Sequence, residues 1–320
     1  MIVQHLYEQY GLSCHFERTT DGTWLRSGDF IIYPLPLTAF HDSSIEALAA
    51  VSHYLVEQGM PAARILKTQQ DAYTTDYQGS SLAVLAVPIE RETVPFNGET
   101  LARFHTETHM EQAVYSPGRP YLNWSAIWQS RADQTYSWME QISKQKESSQ
   151  FEEMALQAYP YFSGRAENAI QYVVDLVMDT PVEEGASFCH YRFPQGRISK
   201  KEESLIWPTE WVIDHPGRDV GEWIRTACQI GEPYEAIQEF INEYQKVRPI
   251  TTVGASLAYA RILFPLSFYE TVEGYYSGSY NQGEALRRLE DVQLKSQTEE
   301  NLLKALPSLG LNPIAKVDWL

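Results

Sequence analysis

The chain has 320 residues, enough for one large domain or for two lobes that each bury a core. Its net charge is −17, so a phosphate backbone would be repelled unless a local basic patch were present. The densest basic pair, Lys200 and Lys201, is followed at once by Glu202 and Glu203. The charge therefore argues against nucleic acid as a partner.

Cysteine usage and apolar patterning indicate where the chain is made. Cys14, Cys189 and Cys228 have no CxxC spacing, which argues against a disulfide framework and against a thiolate metal site. The N-terminal segment has neither a basic n-region nor an unbroken apolar core, so it does not read as a signal peptide. No apolar run reaches the roughly 18 residues that a membrane span needs. We therefore expect synthesis in the cytoplasm and no membrane span.

The N-terminal part of the chain predicts mixed α and β structure. Residues 14–20 and 23–36 read as two antiparallel strands joined through Asp21 and Gly22, a favoured tight-turn pair. A helix is predicted next, because Asp42 or Ser43 can cap it, Glu46 takes its third position and Gly59 ends it. Three further short strands are predicted within residues 63–68 and 72–88.

Beyond Pro88 the pattern changes to mostly helix. Two short strand-like runs, residues 197–199 and 210–214, interrupt it around a charged loop. The segments with helical character are residues 98–109, 121–162, 166–180, 221–228, 234–247, 256–278 and 284–306.

Three segments resemble the kinase fold of the aminoglycoside and choline phosphotransferase type. GETLARFH, residues 98–105, resembles the helix start that follows the hinge in that superfamily. SFCHYRFPQGRI, residues 187–198, lies where those enzymes have an HGDxxxxN catalytic loop, and EWVIDHPGRDVGEWIR, residues 210–225, lies where they have a strand ending in IDF or IDW. The resemblance implies an α+β, two-lobed protein-kinase-like fold. Its parts would be a small β-rich lobe at residues 1–88, a hinge at 89–97 and a larger, mostly helical lobe at 98–320.

The chain more closely resembles the bacterial endospore coat proteins of the CotS and YutH type, which are kinase-like proteins of spore formers, and the YutH type fits best. This resemblance covers essentially the whole chain. It implies localisation in the endospore coat after cytoplasmic synthesis, with other spore coat proteins as partners.

Phosphoryl transfer needs a lysine for the nucleotide phosphates, a helix glutamate that holds it, an aspartate that takes the acceptor proton, and asparagine and aspartate ligands for magnesium. By the resemblance, Tyr33 stands at the lysine position, and the sequence has no Lys or Arg between Arg26 and Arg64. A neutral phenol cannot offset phosphate charge. Glu46 matches the partner glutamate, but without a lysine we interpret it as a capping carboxylate.

The catalytic loop departs further from the HGDxxxxN pattern. Arg192 replaces the catalytic aspartate and Arg197 replaces the metal-binding asparagine. A guanidinium stays protonated, so it can neither accept the substrate proton nor ligate a cation. His190 matches the loop histidine, and we predict that it is a packed structural residue.

Asp214 matches the magnesium aspartate of the superfamily and is the one metal ligand that the motif retains. Alone it makes a weak remnant site, because magnesium needs more ligands. One hypothesis is that Arg192 or Arg197 pairs with Asp214, so that a side-chain cation replaces the metal. Asp219 follows five residues later, and we predict that it caps the helix of residues 221–228.

Three other patterns favour structural interpretations. Cys189 and His190 are adjacent in a predicted strand and point to opposite faces, which excludes a catalytic dyad. His105 and His109 have the i, i+4 spacing of zinc ligands, but a core or surface role is favoured because no HExxH motif is present. The aromatic segments 158–162 and 275–280 are candidates for exposed patches or for core.

These observations predict a catalytically degenerate kinase-fold protein, with no cofactor, that acts as a structural or assembly component of the endospore coat. Two alternatives stay open at this point. One is an active small-molecule phosphotransferase with displaced catalytic groups that uses ATP and magnesium. The other is a regulatory pseudokinase that binds nucleotide without metal.

Overall fold

The structure is a computed structural model of the chain. It describes residues 1–19, 22–41, 44–90, 96–110, 123–180, 185–193 and 206–317. The chain divides into two compact units, the first formed by residues 1–109 and 187–213, the second by residues 110–186 and 214–320. This division groups the first helix after the predicted hinge with the sheet. The lobe boundaries predicted from the sequence stay a prediction.

The first unit is built on an antiparallel sheet. Its strand order is β1-β2-β3-β6-β4, and β5 pairs with β6. Residues 23–36 were predicted as one strand, but a turn at Gly28, whose φ is +56°, divides them in two. The strands are β1 (His15–Thr19), β2 (Gly22–Ser27), β3 (Phe30–Pro36), β4 (Arg64–Ile65), β5 (Thr75–Tyr77) and β6 (Ser80–Pro88).

Three helices are described in this unit: α1 (Ile2–Tyr10), α2 (Ile45–Glu57) and α3 (Gly98–Glu107). Helix α1 was not predicted from the sequence. It ends at Tyr10, and Gly11 follows in the left-handed conformation that favours glycine. Its apolar face packs against the sheet. The buried members of this core are Leu6, Tyr10, Leu25, Ile32, Leu82, Val84 and Ala86.

The helix caps differ from the predicted ones. Ser44 caps α2, because its side chain accepts a hydrogen bond from the Ala47 N–H at 3.2 Å. The predicted cap residues Asp42 and Ser43 lie outside the described residues. Glu46 is therefore the second residue of α2, not the third, and is exposed.

A two-stranded ribbon, β7 (Ser187–His190) and β8 (Trp211–Asp214), contains residues near the start of two of the three segments that resemble kinase motifs. The strand predicted at residues 210–214 is confirmed. The run at residues 197–199 lies outside the part of the chain that the structure describes.

The second unit is mostly helical. The end of the predicted helical segment 121–162 and the predicted helix 166–180 form one continuous helix that contains Pro160, whereas Pro265 divides the segment 256–278 into two. No helix among those described is both long and apolar enough to cross a membrane. The helices are α4 (Trp124–Lys144), α5 (Gln150–Asp179), α6 (Gly217–Gln229), α7 (Tyr234–Val247), α8 (Thr252–Leu263), α9 (Leu266–Tyr276) and α10 (Gln282–Ala305).

Glycines let α6 and α8 approach closely. A Cβ atom on Gly217 would lie 2.7 Å from the carbonyl oxygen of Gly254, and one on Gly221 would lie 2.8 Å from that of Ala258. Neither side chain could be accommodated without a backbone shift. This contact fixes the start of α6 directly after β8, where the candidate site lies.

Candidate functional site

Asp214, the last residue of β8, is fully buried and accepts hydrogen bonds on both carboxylate oxygens. Its Oδ2 accepts from the Trp124 indole N–H at 2.9 Å and from Arg218 Nη1 at 2.8 Å. Its Oδ1 accepts from the backbone N–H of His215 at 2.7 Å. A carboxylate oxygen has two lone pairs, so both lone pairs of Oδ2 are used.

Local sequence explains why Arg218 reaches Asp214. Because α6 begins at Gly217, Arg218 lies in its first turn, four residues after Asp214. The ion pair is almost completely shielded from water, with side-chain exposures of 11% for Arg218 and 0% for Asp214. From the sequence, Arg192 or Arg197 was the expected partner of Asp214, and Arg218 was not predicted. The i, i+4 spacing at a helix start was the signal that could have found it.

A second ion-pair group lies on α6 and α8. Glu222 accepts from Arg225 and, at 2.6 Å, from Arg261 Nε, and all three side chains are buried. The Arg261 guanidinium lies 5.2 Å from the ring centroid of Trp124, the same indole that donates to Asp214. Burial lowers the pKa of Arg261 to about 10, while the charge of Glu222 opposes the shift. Paired acidic and basic side chains therefore lie along α6 and the facing side of α8.

The predicted cap role of Asp219 is wrong. The helix begins two residues earlier, at Gly217, with Pro216 at the N-cap, so Asp219 is the third residue of α6. Asp219 is fully buried in the first turn, where a negative charge is favoured by the unpaired N–H groups of the helix start.

His190 is fully buried in the first unit. Aromatic rings surround it: the centroids of Phe96, Phe104 and Phe193 lie 5.3, 5.1 and 4.9 Å from that of the imidazole. This environment is typical of a packed structural histidine, which is the role that the sequence predicted.

Tyr191 and Arg192, the next two residues of the loop, are more exposed to solvent than His190. The Tyr191 ring stacks on His41 at 3.8 Å, with 13° between the planes. The Arg192 guanidinium lies 4.9 Å from the centroid of the Tyr191 ring, within cation–π range. Arg197 lies outside the described residues. At the position of a catalytic aspartate the protein thus has a half-buried arginine that contacts an aromatic ring.

Tyr33, at the lysine position, lies in the middle of β3 and makes an edge-to-face contact with Trp207, with 5.0 Å between centroids. Glu46 is exposed in the first turn of α2. Both were weak candidates for cofactor binding, and neither presents a positive charge to a nucleotide phosphate.

Two of the remaining candidates lie close together, because a ring nitrogen of His105 is within 4.8 Å of Cys189 Sγ. His105 is buried in α3, which ends at Glu107, and His109 is exposed beyond it, in agreement with the core or surface roles favoured from the sequence. Cys189 is buried in β7. The aromatic segments are half-buried and engaged: Tyr161 donates a hydrogen bond to Glu300, and Tyr276 stacks on Trp138 at 4.6 Å.

The residues present do not fit a magnesium–nucleotide centre. A magnesium ion would have to displace the Arg218 guanidinium from Asp214, and Arg192 can supply neither a base nor a ligand. The charged side chains of the described site neutralise one another, and the Asp214–Arg218 pair links Asp214 to the first turn of α6. Asp214 was predicted from the sequence as the retained aspartate, whereas Trp124 and Arg218, which contact it, were not predicted.

Comparisons with known proteins agree with this fold. A family model described as "Spore coat putative kinase YutH" matches residues 3–306. The chain is 28% identical over 295 residues to the endospore coat-associated protein YutH of Bacillus subtilis (strain 168), covering 88% of this chain and 85% of that protein.

Solved structures show the same fold at low sequence identity. An aminoglycoside phosphotransferase from Alicyclobacillus acidocaldarius superposes with a TM-score of 0.72 at 14% identity, covering 96% of each chain. A spectinomycin phosphotransferase bound to ADP and spectinomycin gives 0.57 at 14% identity, covering 93% of this chain and 98% of that one. The predicted kinase-like α+β fold is therefore confirmed. The family match along nearly the whole sequence shows that the chain belongs to the YutH family of kinase-like spore coat proteins.

Proposed function

We propose that this chain is a catalytically degenerate kinase-fold protein that serves as a structural or assembly component of the endospore coat. The proposal rests on the family membership and on the state of Asp214. Its two parts, the lost chemistry and the coat role, have separate support.

The Asp214–Arg218 pair carries the first part. A magnesium aspartate must offer its oxygens to a cation, and here a guanidinium already neutralises that carboxylate at 2.8 Å inside the protein. Removing the guanidinium would leave a buried, uncompensated charge, which costs several kcal/mol, about 3–5 in comparable cases. The arrangement is therefore stable without metal and opposes metal binding.

Two further replacements remove the acid–base and phosphate-binding functions. A base must lie within hydrogen-bond reach of the acceptor hydroxyl and lose its proton near neutral pH, and Arg192 cannot. Tyr33 supplies no positive charge at the position of the phosphate-binding lysine. Each of these changes alone would lower phosphoryl transfer, and together they leave positioning as the only contribution of the fold.

The coat role is supported by the relative from Bacillus subtilis, which is named for its association with the endospore coat. A protein that serves by binding needs a rigid body and accessible surfaces, not turnover. The buried ion pairs of α6 and α8 and the aromatic core supply that rigidity.

A paired assay tests both parts. Purified protein is incubated with ATP and magnesium, and ADP formation is compared between wild type and Asp214→Asn. In parallel, tagged wild type, Arg192→Ala and Asp214→Asn are produced in sporulating Bacillus subtilis cells that lack YutH, and coat extracts are probed for the tag.

We expect no ADP above background from any variant, and coat association for wild type and Arg192→Ala alike. Thermal unfolding identifies any loss that comes from misfolding of Asp214→Asn. ADP formation by wild type that Asp214→Asn abolishes would overturn the proposed loss of chemistry. Absence of folded wild-type protein from the coat would overturn the coat role.

A further inference from the structure

We infer that the outer edge of β1 is a self-association site, at which β1 pairs antiparallel with β1 of a second copy of this chain and Phe16 faces Phe16. The inference does not depend on whether the site at Asp214 is active. It identifies the partner of one surface as the chain itself.

β1 lies at the end of the sheet and pairs with β2 on one side. Apart from that ladder, the backbone of residues 15–18 makes no hydrogen bond to any other residue that the structure describes. An edge of this kind presents N–H and C=O groups that another strand can satisfy. Phe16 is 62% exposed on it, a large apolar side chain where polar ones are usual.

Symmetry restricts the possible pairings. Two identical antiparallel strands side by side are related by a two-fold axis perpendicular to the sheet, which keeps each side chain on its own face. Directly opposite residues share a face, so their positions must both be odd or both be even. The strand can therefore pair about residue 16, 17 or 18, but not about a point between two residues.

Charge selects among these three registers. Pairing about Glu17 sets Glu17 against Glu17, and pairing about Arg18 sets Arg18 against Arg18, both of which are destabilising. Pairing about Phe16 sets the two Phe16 rings opposite each other and sets His15 against Glu17 twice. Aromatic pairs contribute about 0.2–1 kcal/mol in sheets, and an imidazole N–H of His15 can donate a hydrogen bond to the Glu17 carboxylate.

The register about Phe16 also suits the charges already on β1. Glu17 is held by Arg26 of its own chain at 3.0 Å, and its side chain remains 42% exposed, so it can also accept from His15 of the second copy. Arg18 faces Cys14, which carries no charge. A single strand pair buries less than the roughly 1,200 Å² of a standard interface, so the dimer is weak and forms at high local concentration.

Disulfide trapping reads the register directly. Single cysteines are introduced at Phe16, Glu17 and Arg18 in full-length protein that carries Cys14→Ser, where the remaining Cys189 and Cys228 are buried. Opposite Cα atoms lie about 4.5–5.5 Å apart, within the range of a disulfide. We expect at least tenfold more cross-linked dimer from Phe16→Cys than from Glu17→Cys or Arg18→Cys.

The molar mass in solution provides a second test, in which the wild-type sequence of β1 is measured without introduced cysteines. Light scattering of wild type should show a dimer fraction that rises with concentration, and Phe16→Glu should reduce that fraction at least tenfold. Tyr136→Glu is the matched control, since Tyr136 is a similarly exposed aromatic residue on α4 at 55% exposure. A monomer at every concentration, or preferential cross-linking at position 17 or 18, would overturn the inference.

Discussion

Arg218 Nη1 lies 2.8 Å from Oδ2 of Asp214, and the two residues are four positions apart across the junction of β8 and α6. The Arg218 guanidinium thus binds the carboxylate of Asp214, which by resemblance to phosphotransferases would bind magnesium. The pair is nearly completely buried, whereas six of the ten ion pairs among the described residues are partly exposed. Its stability is the first consequence that can be measured.

Arg218→Met should lower the free energy of unfolding by about 3–5 kcal/mol, because it leaves the buried charge of Asp214 without its counter-ion. Urea denaturation measures the loss. The control is Lys295→Met, which breaks an i, i+4 pair with Asp291 on the surface of α10 and should cost less than about 1 kcal/mol. Equal losses in the two variants would contradict the structural role of Arg218.

Glycine substitutions test the close packing of α6 on α8. Gly221→Ala should destabilise the protein by about 1–3 kcal/mol, because the new Cβ would lie 2.8 Å from the Ala258 carbonyl oxygen. Gly164→Ala, in the middle of α5, has no atom within 4 Å of the new Cβ and should stabilise by about 0.5–1 kcal/mol through helix propensity. A stabilising Gly221→Ala would show that the two helices are farther apart.

Alkaline pH should destabilise the protein partly through Tyr10. Burial raises the pKa of Tyr10 from 10.0 to about 12, so the folded state keeps a proton that the unfolded state loses. This contribution is complete below pH 10 and is lost as the pH rises through 12, at up to about 1.4 kcal/mol per pH unit. Tyr10→Phe should therefore flatten the fall of the urea midpoint between pH 10 and 11.5.

The matched control for this effect is Tyr136→Phe, which removes a hydroxyl from a ring that is 55% exposed on α4. Its urea midpoint should follow that of wild type at every pH. If Tyr10→Phe and Tyr136→Phe give the same slope, burial of Tyr10 is not the cause of the alkaline loss.

Much of the fold could be predicted from local patterns. The hairpin at the N-terminus, α2 and the strand before Asp214 have turn residues, caps or apolar spacing that act within a few residues. The errors occur where contacts between residues far apart in the sequence determine whether a helix forms or where it ends. Pro160 does not end α5, and α1 depends on the sheet that its apolar face covers.

The candidate site shows the same limit. The resemblance predicts replacements at Tyr33 and Arg192, because each would be a change at a single position. The Trp124 indole that donates to Asp214 comes from a helix 90 residues earlier in the chain, and no local pattern indicates it. The i, i+4 spacing could have predicted the pairing of Arg218 with Asp214, but only if the start of α6 had been predicted at Gly217.

Calorimetric titration of ATP into the full-length protein, with and without magnesium, tests the loss of catalytic chemistry most directly. Asp214→Asn is titrated in parallel, with its fold checked by thermal unfolding. We predict no magnesium-dependent binding in either protein, because Asp214 is already neutralised by Arg218. Magnesium-dependent binding of ATP by wild type, lost in a folded Asp214→Asn variant, would contradict the account.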